Sequence, residues 1–137
     1  MLYLKNPYRF LKHLVVVPLV GSLIIPLLIL DVLIEIYHRI CFPLCKIPYV
    51  ERKNYIRILD RFKLRYLNIF QKFYCAYCGY GNGVIRYWAK IAAETEGYWC
   101  AIQHEKNPEF RPSEHQNSFA KYGDKKDFEK KYVGGRT

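Results

Sequence analysis

The spacing of apolar positions changes three times along this chain. Residues 14–30, "LVVVPLVGSLIIPLLIL", carry no charge. Asp31 interrupts, and "VLI" then continues to Glu35. At about 1.5 Å of rise per residue, a helix over residues 14–34 crosses a hydrocarbon core of about 30 Å. The pattern therefore predicts one transmembrane helix over residues 14–37. A signal peptide fits poorly, because the run is long and no small-residue cleavage site follows it. A buried soluble helix fits worse, because the rest of the chain is too small to enclose it. Pro18 and Pro26 lie inside the run, with Gly21 and Ser22 between them. A membrane helix tolerates these residues where neighbours satisfy the freed carbonyls. A straight span is expected, with a shallow re-entrant hairpin as the alternative. Asp31 and Glu35, four apart, share a helix face near its end. They are expected to face headgroups or to pair with Arg39.

Beyond the span the period becomes helical. In residues 55–74 the apolar positions Ile58, Leu59, Phe62, Tyr66, Leu67, Ile69, Phe70 and Phe73 form one stripe. Asn54 is a candidate cap. Gly79, Gly81 and Gly83 predict a turn, followed by a second helix over residues 84–96 with Gly97 as its stop. Pro43 and Pro48 disfavour helix before them, which predicts an extended connector on the membrane surface. The organisation that follows is an amphipathic lead-in (1–13), the transmembrane helix (14–37), a juxtamembrane connector (38–53), a helical Cys/His domain (54–104) and a polar tail (105–137). The tail is weakly periodic and reads as flexible or loosely docked. The fold class is mostly α.

Charge changes the picture of partners. The formal net charge is +10, with 22 Lys and Arg against 12 Asp and Glu among 137 residues. Much of the excess follows the span, in "ERKNYIRILDRFKLRY". A basic juxtamembrane stretch is expected to meet anionic lipid headgroups, which accounts for the charge without nucleic acid. The more basic C-terminal flank predicts a cytoplasmic location for everything after the span. In a reducing compartment the five cysteines are expected free or metal-bound rather than disulfide-linked.

The candidate chemistry is "FYCAYCGYGNG" and, downstream, "YWCAIQH". Cys75 and Cys78 form C-x2-C, and Cys100 and His104 form C-x3-H. Three thiolates and an imidazole make a closed tetrahedral shell for structural zinc, with iron as the alternative metal. A straight helix over residues 84–96 spans about 18 Å, and three residues turn back at most about 11 Å. Closure within one chain then needs a bent helix, or two chains sharing the site. A thiol redox pair and inert packing among aromatic residues are the other readings. Cys41 and Cys45, with Pro43 between them, make a poor ligand pair. Glu94 or Glu96 could act as a base, but no nucleophile–base–orienter set is visible, so a non-enzymatic role is expected.

"CFPLCKIPYVERKNYI", "FYCAYCGYGNGVIRYWAKIAAETEGYWCAIQH" and the later "YGD" resemble a family of small bacterial membrane proteins that supplies no activity to carry over. The resemblance covers residues 41–124. It implies that Cys75, Cys78, Asn82, Glu96, Cys100 and His104 act as a unit. Gly79 and Gly81 stand where the family has small residues such as serine and alanine, Ala101 where it has proline, and Cys45 departs from it. The expectation is a single-pass protein of the bacterial inner membrane, a zinc-bound accessory or interaction module. A membrane-bound redox or iron protein is the alternative. The expected partners are the bilayer and a membrane protein or a second copy.

Overall fold

The computed structural model describes residues 9–133. The start of the expected lead-in and the end of the expected tail lie outside them. The described chain is mostly helical and has no strand beyond an isolated bridge between Ile102 and Ala120. It divides into two bodies, residues 1–89 and 90–137.

The first body starts with α1 (Arg9–Ser22) and α2 (Ile24–Cys45), which follow each other across Leu23. Together, Leu11–Cys45 is long and apolar enough to cross a membrane. Its apolar side chains are largely exposed, among them Leu14, Leu19, Ile25 and Leu33. The break sits where Pro26 lacks the N–H that would bond the Ser22 carbonyl. Two nearby carbonyls find other donors. Ser22 Oγ donates to Leu19 O at 2.8 Å, and the Tyr77 hydroxyl donates to Val20 O at 2.5 Å. In an apolar medium such substitutes are what permit a break.

α2 runs further than the expected end of the span. It passes through Pro43 and stops at Cys45, with Lys46 in the left-handed region at φ 54°. Ile47 N–H bonds Phe42 O at 2.9 Å and Lys46 N–H bonds Pro43 O at 3.2 Å. These are the crossed bonds of a Schellman ending, here with lysine in the usual place of glycine. Much of the expected extended connector is therefore helical, because a C-terminal cap can follow a proline by a few residues.

The expected helix over 55–74 is another correction. Residues 55–68 hold only the short 3₁₀ turn Arg61–Lys63, and α3 begins at Ile69. Its start is set by a reciprocal cap. Asn68 Oδ1 accepts from Gln71 N–H at 2.8 Å, and Gln71 Oε1 accepts from Asn68 N–H at 3.0 Å. α3 then continues unbroken to Trp99, through all the glycines that predicted a turn.

Those glycines serve a close approach instead. A Cβ on Gly79 would lie 2.9 Å from Arg57 O, and one on Gly83 would lie 2.9 Å from Tyr55 O and 3.0 Å from Ile56 Cα. Four apart on α3, they leave a flat strip on which the backbone of residues 55–58 lies. Gly81 faces open space, with nothing within 4 Å.

The second body contains the last turns of α3, a loop, the 3₁₀ segment Glu114–Ser118, and α4 (Lys125–Phe128) continued by a π-helical turn, Glu129–Val133. Ile91, Ala101, Phe119 and Ala120 are buried. Residues expected to belong to a tail thus supply part of this core. Gln103 N–H donates to Ala120 O at 2.8 Å and Ala120 N–H to Ala101 O at 3.0 Å.

Candidate functional site

Asp31, Glu35 and His38 stand at positions i, i+4 and i+7 of α2 and so share one face. Asp31 and His38 are buried. α3 presents Tyr80, Tyr87 and Trp88 to them, again about seven residues apart. Arg52 comes from the chain after α2, and the three elements close a polar cluster within the first body.

Asp31 is the hub of one half. Arg52 grips it with both guanidinium ends, Nη1 to Oδ1 at 2.8 Å and Nη2 to Oδ2 at 2.5 Å. Tyr80 donates to Oδ2 at 2.7 Å, and the Trp88 indole N–H donates to Oδ1 at 3.3 Å. Four donors saturate a carboxylate that apolar surroundings would otherwise strand. The bond to Asp31 raises the Arg52 pKa further above its ordinary value. Burial, and then the bond to Asp31, push the Tyr80 phenol up to about 12.

Glu35 is the hub of the other half. Arg39, one turn on, donates to Oε1 at 2.7 Å, the pairing its spacing predicts. Tyr87 donates to Oε2 at 3.0 Å. Burial and Glu35 together raise the Tyr87 phenol. The same hydroxyl lies 3.0 Å from His38 Nδ1, while His38 Nε2 accepts the Val50 N–H at 3.1 Å. Because Val50 donates to Nε2, the ring proton belongs on Nδ1. A directed chain follows: His38 Nδ1–H to Tyr87 oxygen, then Tyr87 O–H to Glu35. Tyr49 stacks on the imidazole at 4.2 Å and Phe42 meets it edge-on at 4.4 Å. His38 and Tyr87 are fully buried. The cluster is a closed clamp: its carboxylates are occupied by side chains of the same chain.

The four residues expected to bind metal fall in both bodies. Cys75 and Cys78, one helical turn apart on α3, belong to the first. Cys100 and His104 follow α3 in the second. All five cysteines are free, and Cys78 and Cys100 are exposed. No group of three or more His, Cys, Asp or Glu that could hold a metal ion occurs among the described residues. The His104 ring sits edge-on to Phe110 at 4.9 Å. Of the other residues grouped by the resemblance, Asn82 donates to Cys78 O at 2.9 Å.

Glu96 organises the second body. Its carboxylate accepts from His115 Nε2 and from Gln116 Nε2, each at 2.7 Å. The His115 bond holds the Glu96 carboxyl below its ordinary value against an opposing contribution from burial, and Gln116 assists. Beside this pair lies a cleft of ≈ 450 Å³ lined by residues that include Gln103, His104, Phe110, Pro112 and Asn117. Gln103 braces it by donating to the carbonyls of Gln116 and Asn117, both at 3.3 Å.

Sequence reasoning missed His38, Arg52, Tyr80, Tyr87 and Trp88. The signal available was the polar i, i+4, i+7 stripe on an apolar helix, together with aromatic hydroxyls at matching spacing on α3. Compared with protein families, with characterised proteins and with solved structures, the chain shows no match.

Proposed function

We propose that this is a membrane-anchored accessory protein that acts by binding a partner. It sits in the bacterial inner membrane with everything after the apolar helix on the cytoplasmic side. The observation that carries the reading is the saturation of Asp31. An acidic residue on an apolar helix is a functional candidate by default. Here Arg52, Tyr80 and Trp88 consume its acceptor sites. The carboxylate thus serves to fasten the following chain to the anchor. The cytoplasmic side follows from the basic residues after α2. The cleft around Phe110 offers an open surface for recognition.

The test is a photo-crosslinking amino acid at Phe110 of the full chain, expressed in a bacterial host. A discrete adduct, lost on Pro112→Arg, is expected. The uncrosslinked chain alone would contradict a binding role. Labelling of Cys100 by an impermeant thiol reagent only after the membrane is opened checks the orientation.

A second reading keeps zinc, with iron as the alternative. Cys75 and Cys78 share one side of α3 and Cys100 is exposed, so these thiols are open to a soft metal. Elemental analysis of detergent-purified protein decides it. About one metal per chain, lost in Cys78→Ser and in His104→Ala, supports the four-ligand site. Protein purified without chelator and free of metal overturns it.

A further inference from the structure

The contacts between α3 and the apolar helices rise together along both. Tyr77 reaches Val20, Tyr80 and Trp88 reach Asp31, and Tyr87 reaches Glu35 and His38. α3 therefore runs parallel to α2, and its start lies beside the interior of the apolar run. The covered face of α2 passes through Ile24, Leu27, Asp31, Glu35, His38 and Phe42, all buried or half-buried. From Ile24 to Phe42 this cover extends about 27 Å at about 1.5 Å per residue, nearly the thickness of a hydrocarbon core. The cover is charged on its outside. Arg57, Asp60, Arg61, Lys63, Arg65 and Arg86 are exposed in the first body. The backbone of Arg57 rests on Gly79, between the tyrosines that reach Val20 and Asp31. On a helix that crossed the bilayer these groups would be turned out toward acyl chains, whereas charges at that depth face inward or are paired. The opposite face of α2 is an apolar stripe. Ile25, Ile29, Val32, Leu33, Ile36 and Ile40 recur along it, each more than half exposed. Arg39, at its margin, is drawn to Glu35.

We propose that α2 lies along one leaflet instead of crossing the bilayer. The stripe from Ile25 to Ile40 is set in the acyl chains of that leaflet. The face of Asp31, Glu35 and His38 is turned to the water side, and α3 and residues 51–68 ride on it. This seat rests on the membrane-anchored reading above and states how the anchor lies. A helix with an apolar stripe on one side and a polar cover on the other suits it. Leu11–Cys45 is long enough to cross, but the cover keeps its charges in water only where α2 is reclined. α1 adds residues 14–22 to the apolar run, about 13 Å, too short to cross by itself. The chain therefore enters and leaves the membrane on one side.

The test uses the full chain in a bacterial membrane, with a protease-cleavable tag before Met1. In intact spheroplasts the tag should resist protease and Cys100 should resist an impermeant maleimide. Both should open together once the membrane is broken by freezing and thawing. Cys78, exposed on α3 between Tyr77 and Tyr80, should then react as readily as Cys100, without detergent and with chelator present. A tag cut in intact spheroplasts while Cys100 stays closed, or a Cys78 that reacts only in detergent, overturns the reclined seat and leaves the anchor standing. A photo-crosslinking amino acid at Ile29 should give phospholipid adducts, and an adduct to a second copy or to another protein overturns the lipid contact. Release of the chain from the membrane by alkaline carbonate overturns the anchored reading itself.

Discussion

Arg52 reaches back across 21 residues to hold both oxygens of Asp31. One partner stands on an apolar helix and the other in the basic chain that follows it. The pair converts a tether into part of a fold. What would be an unpaired acid on an apolar helix becomes the point at which α2, the connector and α3 meet.

The two halves of the clamp respond differently to loss of a hydroxyl. Tyr87→Phe removes the bridge between Glu35 and His38 and leaves a buried ring nitrogen without its partner. It should cost about 1–3 kcal/mol of stability. Tyr80→Phe leaves Asp31 with Arg52 and Trp88, so it should cost less, about 1 kcal/mol. Chemical denaturation in one detergent, with both variants side by side, checks the order. Equal losses would argue against the His38–Tyr87–Glu35 chain.

The glycines of α3 give a sharper contrast. Gly83→Ala places a methyl 2.9 Å from Tyr55 O and 3.0 Å from Ile56 Cα, and Gly79→Ala one 2.9 Å from Arg57 O. Each should destabilise by about 1–3 kcal/mol, with Gly83 the worse because Ile56 Cα and Cγ1 crowd it at 3.0 and 3.2 Å besides the carbonyl, whereas at Gly79 the next atom stands at 3.9 Å. Gly81→Ala meets nothing within 4 Å. It should stabilise the helix by about 0.5–1 kcal/mol. Thermal unfolding of the three variants reads the sign directly.

In the second body, stability should depend on Glu96. Its pKa is lowered from 4.5 in the folded chain, first by the bond from His115. A lowered carboxylate contributes stability that is present above 4.5 and is lost as pH falls below it through the folded value. Hydrogen exchange over residues 114–120 should therefore quicken as pH is taken down through this window, after correction for intrinsic rates. Glu96→Gln should flatten the dependence. An unchanged profile in that variant would place the acid sensitivity elsewhere.

The apolar helix was legible because a run such as "LVVVPLVGSLIIPLLIL" has few other uses. The Glu35–Arg39 pair was legible from its spacing of four. The Asp31–Arg52 pair was not, because its partners are joined only through a cap at Lys46 and a connector that lies along α3. The glycines misled for a related reason. Gly79 and Gly83 carry the same composition as a turn, and only the backbone of residues 55–58 against them shows that they make room. Asn68 and Gln71, three apart, do spell a helix start in the sequence, but the aromatic stripe before them pulled the expected boundary upstream. The stripe's helical period holds only from Ile69 onward, since residues 55–68 carry no helix beyond the 3₁₀ turn Arg61–Lys63.

The most direct test of the clamp is a double-mutant cycle in a bilayer, with Asp31→Asn, Arg52→Gln and both together, read by reversible unfolding of the full chain. Each single change removes the bidentate contact, leaving Arg52 beside Glu35 at 3.6 Å or Asp31 with Tyr80 and Trp88, and should cost about 2–3 kcal/mol, allowing for the partial exposure of Arg52. The double variant should cost little more than either single, giving a coupling of about 1.5 kcal/mol or more. Strictly additive losses would mean that Asp31 and Arg52 do not depend on each other, and would contradict the account of the anchor as part of the folded core.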